Sequence, residues 1–169
     1  VSVVYTNLVG GQDELVFDGG SMVVDHAGAL AVEAPQFADG LFPVEFLCEH
    51  HCQPISQPLP EEPSLEANVY NALVTGVRDY VNKNGFPGVI LGLSGGIDSA
   101  LSAAVAVDAL GPDRVRCVMM PSPYTSQDSL DDARECAQLL GVRLDDVRIE
   151  PAIDAFNKML APMFGDRPP

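Results

Sequence analysis

Residues 91–100 read Leu91-Gly92-Leu93-Ser94-Gly95-Gly96-Ile97-Asp98-Ser99-Ala100. The apolar run before the glycines and serines, 88–93, has the length of a buried strand. The apolar run after them, 97–110, is long enough only for a helix. Small and polar residues therefore sit where a strand gives way to a helix. In open α/β sheets ligands bind at the carboxyl ends of strands. A helix N-terminus there offers unpaired N–H groups and a partial positive charge, which suits phosphate. Gly95 and Gly96 lack a Cβ, so a phosphate can approach the backbone. Ser94 and Ser99 supply hydroxyls. Asp98 is out of place in an anion site unless it holds a cation, and Mg²⁺ commonly joins a carboxylate to substrate phosphates. The stretch lacks the Gly-Lys-Ser/Thr ending of a Walker A loop, and it is not a GxGxxG turn. An ordinary strand-to-helix turn would explain one glycine and one cap, not the whole set.

Working outward, units alternate. A second apolar strand is predicted over 115–120. Ser126 is placed to cap a helix with Leu130, Ala133, Ala137 and Leu140 inward, stopped by Gly141. A weaker strand over 142–149 and the start of a helix over 152–160 follow. Strand–helix alternation predicts a parallel sheet covered by helices. Upstream, Ser64 can cap a helix with Glu66 in its first turn and an apolar face of Val69, Ala72, Leu73, Gly76, Val77, Tyr80 and Val81. Asn84-Gly85 ends it and Pro87 prevents its return. Residues 53–63 hold four prolines and no apolar period, which marks a domain boundary. Residues 1–47 read as strands: 1–5, 14–17, a hairpin of 21–24 and 29–32 around Asp25-His26-Ala27-Gly28, and 42–47.

The chain of 169 residues is 47% apolar, enough for a real core. Nine Lys and Arg face 24 Asp and Glu, a net charge of −15. Such a chain repels nucleic-acid backbones and anionic membranes, so any attraction for a polyphosphate must be local. No apolar run is long enough to span a membrane, and the N-terminus carries no basic leader. The chain starts at Val1 rather than Met, which raises the expectation of a piece of a longer protein. Cys48, Cys52, Cys117 and Cys136 are expected as reduced thiols. Cys48-Glu49-His50-His51-Cys52 has some look of a metal cluster. A zinc site, however, needs a second, distant pair of ligands, and a surface turn is the simpler reading. Asp131-Asp132 and Asp145-Asp146 read as solvated faces, the Met119-Met120 pair as strand core, and His26 as a turn residue without a visible partner.

Ser94-Gly95-Gly96-Ile97-Asp98-Ser99 resembles the SGGxDS loop of the ATP pyrophosphatases, the PP-loop enzymes. The flanking stretch 66–133 is similar along its whole length to the glutamine-dependent NAD synthetase family. Two features are typical: the helix end Asp79-Tyr80-Val81 with Asn84-Gly85-Phe86, and the segment Met120-Pro121-Ser122-Pro123-Tyr124-Thr125-Ser126. The stretch 7–21, NLVGGQDELVFDGGS, resembles the late part of the nitrilase-like glutaminase domain of the same family.

The resemblance implies an α/β protein. Residues 1–52 would be the β-rich C-terminal piece of a nitrilase-like αββα domain, 53–63 a linker, and 64–169 the N-terminal part of a parallel-sheet PP-loop domain. It implies a cytoplasmic ligase that makes NAD from deamido-NAD, ATP and glutamine-derived ammonia through an adenylated intermediate. Gly92, Leu93, Ser94, Gly95, Gly96, Ile97, Asp98 and Ser99 would hold the pyrophosphate end of ATP, with Asp98 on Mg²⁺. Residues 119–121 would lie near the adenine. The glutaminase nucleophile belongs upstream of the VGGQDELVFDG stretch in a Cys-Glu-Asp context, which this chain lacks. Cys48-Glu49 is followed by His50 and lies on the wrong side, so no catalytic residue is assigned here. Both catalytic domains would then be cut, and the chain alone would be inactive. The partners implied are small molecules and further copies of the chain, with no nucleic acid and no membrane. Two other readings stay open at this point: a different PP-loop enzyme acting on a nucleotide or tRNA, and a non-catalytic ATP-binding fragment.

Overall fold

The computed structural model describes residues 1–164. The last five residues of the domain expected over 64–169 lie outside the described residues. The described residues form two compact units, Val1–Phe86 and a second that begins at Pro87.

The first unit opens with β1 (Val3–Tyr5), β2 (Val9–Gln12), β3 (Leu15–Asp18), β4 (Met22–Val24) and β5 (Leu30–Glu33), continues with β6 (Phe46–Cys48) and β7 (Cys52–Pro54), and closes with helix α1 (Leu65–Lys83). β1, β4 and β5 form one antiparallel sheet, whose core is Val23, Ala31 and Val32. The expected 21–24/29–32 hairpin is β4–β5. Asp25 shapes its turn, accepting hydrogen bonds from the amides of Ala27 at 2.8 Å and Ala29 at 2.9 Å. β2 pairs antiparallel with β3 across Asp13-Glu14, and Asp13 takes a left-handed φ of 51°. The Asn7 side chain ties the ends of this hairpin together, donating to Gly19 O at 2.8 Å and to Asp18 Oδ1 at 3.2 Å.

The sequence reading misses β2 and β7. β2 is Val-Gly-Gly-Gln, poor in strand-forming residues; its partner β3 and the helix behind it hold it extended. The expectation for the cysteines is corrected in part. Cys48 and Cys52 lie directly opposite each other in the β6–β7 hairpin and form a disulfide, whereas Cys117 and Cys136 are free thiols. The pairing follows from the hairpin register, which residue types alone do not fix.

Helix α1 starts at the expected cap: Ser64 Oγ accepts from the amide of Ala67. Its packing departs from expectation. Val81 is buried as expected, but Val69, Leu73 and Tyr80 are exposed and Thr75, outside the expected face, is buried. The helix meets β2 and β3 through its Gly76–Asp79–Lys83 edge, because Gly76 lets the backbones approach: a Cβ on Gly11 would lie 3.2 Å from Gly76 Cα.

The second unit alternates as expected: β8 (Val89–Gly92), α2 (Ile97–Leu110), a short 3₁₀ turn, β9 (Val115–Met119), α3 (Gln127–Leu140), β10 (Arg143–Asp146) and α4 (Glu150–Phe164). The strands are parallel in the order β10-β9-β8. Their register puts Val89, Leu91, Val115, Cys117, Met119 and Leu144 on one face. That face carries the core with Leu93, Ala103, Ala106, Ala133 and Ala137. Burial there pushes the Cys117 thiol above its usual range, with a smaller contribution from Cys136. Gly141, in the left-handed region at φ 68°, ends α3.

Among the described residues Ile90 of β8 is 70% exposed. Helix α2 is not buried all round, since Ile97 and Leu101 are exposed. α2 and α3 lie on the core face and touch each other, so each has an outer side that the apolar composition of α2 does not betray. On the other face Arg116 and Arg143 both bind Asp145. Asp145 is therefore held rather than freely solvated. The Arg116 hydrogen bond, with Arg143 adding to it, keeps its carboxyl below the usual carboxylate range.

Candidate functional site

The strand-to-helix turn at 92–99 is built from the sheet upward. β8 ends at Gly92, opposite Val118 of β9, and the amide of Leu93 donates to Val118 O at 2.9 Å. Leu93 is 1% exposed and points into the core, which anchors the turn from below. Beyond it the chain is exposed at Ser94, Gly96, Ile97 and Asp98.

Four hydrogen bonds shape the turn. Ser94 and Ser99 hydroxyls meet at 3.1 Å, and the Ser94 amide donates to Ser99 Oγ at 3.2 Å. The Gly96 amide donates to Ser94 Oγ at 3.3 Å, and Ser99 Oγ donates to Gly96 O at 2.9 Å. The two serines are thus brought together across the turn and fix its curvature. Gly96 is the N-cap of α2, with no side-chain cap bond. The first-turn amides of α2 therefore lack both helical and capping acceptors, which is the arrangement that receives an anion.

The two glycines play different parts. Gly95 adopts φ +84°, and a Cβ there would lie 2.8 Å from Ser129 Cα, against the backbone of α3. Gly96 has an extended backbone, φ −88° and ψ 156°, and a Cβ there would meet only Ser94 Oγ at 3.5 Å. Gly95 is required by packing, and Gly96 leaves open space before the amides. The sequence reading assigned both to phosphate approach and missed Ser129. The only signal for it is the serine three residues after the Ser126 cap.

Asp98 sits in the first turn of α2 with its carboxylate exposed; its backbone carbonyl accepts from Ser102 Oγ at 2.8 Å. Among the described residues no hydrogen bond or ion pair engages that carboxylate, and no group of three or more His, Cys, Asp or Glu side chains could hold a metal unaided. Met120, just past the end of β9, is the neighbour of Gly92: a Cβ on Gly92 would lie 3.4 Å from Met120 Cε. Residues 119–121 and the turn therefore share one end of the sheet. Ile97, expected within the binding stretch, is 79% exposed at the first helical position. Cys48, His50, His51 and Cys52 lie in the other unit.

The arrangement is an uncapped helix end at the carboxyl end of a parallel strand, with a free carboxylate one residue into the helix. Comparison with known proteins gives it a lineage. The sequence model of the NAD synthase family matches residues 69–165, more than half of the chain. The glutamine-dependent NAD(+) synthetase of Acinetobacter baylyi is 48% identical over 168 residues, covering 99% of this chain and 31% of the relative. That of Thermotoga maritima is 36% identical, covering 100% of this chain and 35% of the relative. The chain thus spans about a third of the length of the curated relatives it matches. The solved structure of glutamine-dependent NAD+ synthetase from Acinetobacter baumannii in complex with adenosine diphosphate superposes with a TM-score of 0.94 at 46% identity, over 100% of this chain and 32% of that one. A family match through α1, the 92–99 turn and α3, together with this agreement over both units, shows that the chain belongs to the NAD synthase family.

Proposed function

We propose that this chain carries the ATP-pyrophosphate site of a glutamine-dependent NAD synthetase. In the proposed reaction a carboxylate oxygen of deamido-NAD attacks the α-phosphorus of ATP, and pyrophosphate leaves. Ammonia released from glutamine then attacks the acyl carbon, AMP departs and the amide of NAD remains. Residues 64–169 would belong to the synthetase domain and 1–52 to the nitrilase-like glutaminase domain, with 53–63 between them. The two compact units divide later, after Phe86, because α1 packs on β2 and β3. The parent protein would be cytoplasmic and homo-oligomeric.

The observation that carries the reading is the uncapped start of α2 with open space before Gly96. The amides and the helix dipole would receive the pyrophosphate oxygens from Gly92 to Ser99, and developing negative charge there would be stabilised by fixed donors that need no reorganisation. Leu93 would serve from beneath, and Ser94 and Ser99 by holding the curve. Asp98 fits a metal ligand by chemistry: it is an exposed carboxylate with no protein partner, beside the amides that would hold phosphate. One carboxylate is a normal protein contribution to Mg²⁺, the phosphates and water supplying the rest. When bound, the ion would neutralise phosphate charge. A match to an ADP-bound relative supports adenine-nucleotide binding at this fold. Among the described residues no helix is long and apolar enough to cross a membrane.

The test is to give the protein, expressed from its complete reading frame, deamido-NAD, ATP, Mg²⁺ and glutamine. NAD, AMP and pyrophosphate are expected in equal amounts. ADP with orthophosphate, or no NAD, would overturn the reading. Asp98→Ala should weaken Mg·ATP binding roughly tenfold or more, about the 1.4 kcal/mol of one lost charge-assisted contact, and weaken metal-free ATP much less. Equal loss in both states would remove Asp98 from the metal.

A further inference from the structure

Resting on the synthetase reading above, we propose that Asp79 and Lys83 of α1 are positioning residues that couple glutamine use to the ATP chemistry by gripping the backbone of Gly11 in the β2–β3 hairpin. The Gly11 amide donates to Asp79 Oδ2 at 2.9 Å, and Lys83 Nζ donates to Gly11 O at 2.5 Å. Lys83 also pairs with Asp79 at 3.2 Å, and Arg78 approaches the other carboxylate oxygen at 3.4 Å. Two side chains one helical turn apart thus take both polar backbone groups of one strand residue, as a neighbouring strand would.

This is more than incidental packing. Where the helix meets the hairpin it presents Gly76, Asp79 and Lys83, while Val69 and Leu73 stay exposed. With Lys83 half-exposed, the ion pair itself adds little stability. The approach is too close for side chains: a Cβ on Gly10 would lie 2.7 Å from Asp79 Oδ2, and one on Gly11 3.2 Å from Gly76 Cα. Partial burial works against the Asp79 charge, yet the Gly11 amide with Lys83 and Arg78 outweighs it and holds the carboxyl below its usual range. Asp79 therefore meets the Gly11 amide as a carboxylate. The hairpin belongs to the stretch assigned above to the glutaminase part. α1 ends at Lys83, and the chain reaches β8 at Val89 and the 92–99 turn directly after it. A shift of the hairpin would thus be transmitted to the helix that leads into the ATP strand.

The test uses the protein expressed from its complete reading frame and compares NAD formation from glutamine with NAD formation from ammonium. In Asp79→Ala the glutamine-driven rate should fall roughly tenfold, within the usual range of coupling effects, while the ammonium-driven rate stays within about twofold. Asp79→Asn, whose amide oxygen can still accept from Gly11, should restore most of the glutamine-driven rate. Should Asp79→Ala fail to fold, Lys83→Met makes the same comparison with the acceptor intact. Equal losses with both nitrogen sources would reduce the grip to a structural contact and overturn the coupling. A wild type that uses ammonium but not glutamine would leave the ATP reading standing and overturn the coupling alone. A wild type that makes no NAD from either source overturns the synthetase reading and this inference with it.

Discussion

At the end of β8 and at the end of β9 the chain makes the same move, from a parallel strand through a serine-containing turn into a helix. The two turns use their hydroxyls differently. After β9, Ser126 Oγ accepts from the Ser129 amide at 3.2 Å and caps α3. The preceding turn is closed by its own side chains, with the Ser122 amide donating to Thr125 Oγ1 at 3.0 Å and the Tyr124 amide to Ser122 Oγ at 3.2 Å. After β8, Ser94 and Ser99 bind each other and the turn's backbone, and α2 is left without a side-chain cap. One turn caps its own helix; the other leaves the first turn of α2 without a side-chain acceptor. Serine content alone does not mark a phosphate site. What separates the two turns is where the hydroxyls go and which amides they leave over.

The contrast is broken most severely at Gly95. Alanine there would need φ near +84° and would collide with the first turn of α3. Left-handed strain and overpacking together should cost about 2–4 kcal/mol. Urea denaturation should show that loss with or without ATP, since the collision is with protein. A Gly95→Ala protein of wild-type stability would mean that the two turns are not packed together.

Gly96→Ala sharpens the same contrast from the other side. Its backbone is ordinary and its surroundings are open, so stability should change by no more than about 0.5–1 kcal/mol. The added methyl group would stand before the uncapped amides, and ATP affinity should fall roughly tenfold, about 1.4 kcal/mol. Calorimetric titration with Mg·ATP reads this directly. Unchanged affinity would place the phosphate elsewhere.

Much of this was legible in the residues. Helix α2 begins and ends where the apolar run does, Ser64 and Ser126 cap the helices they precede, and Gly141 closes α3, because each signal is local. The errors came where burial depends on a distant partner. The apolar stripe of α1 pointed to one face, but glycine contacts at Gly11 and Gly76 turned a polar edge to the hairpin. The continuous apolar run of β8 hid that Ile90 is exposed among the described residues. Asp145 looked like a solvent residue until register set it beside Arg116 and Arg143. The candidate site's outline was readable as a motif. The separate duties of Gly95 and Gly96 were not, since both are simply glycine in sequence and differ only in what stands next to the missing Cβ.

Ser126→Ala tests the self-sufficient turn and carries the smallest expected effect. Removing an N-cap hydroxyl leaves one amide of α3 without its acceptor and should cost about 1 kcal/mol. In a unit of this size that is a fall in Tm of roughly 4–8 °C. Mg·ATP affinity should stay within about twofold, because the amide that Ser126 serves belongs to a different helix end from the one left open. Thermal melts and titrations on the same protein give both numbers. A loss of ATP affinity as large as that of Gly96→Ala would show that the α3 turn also faces the nucleotide. The distinction between a completed turn and an open one would then fail, and the boundary of the site would move to include residues 122–126. An unchanged affinity with a lowered Tm would leave the nucleotide to α2 and assign α3 the task of backing Gly95.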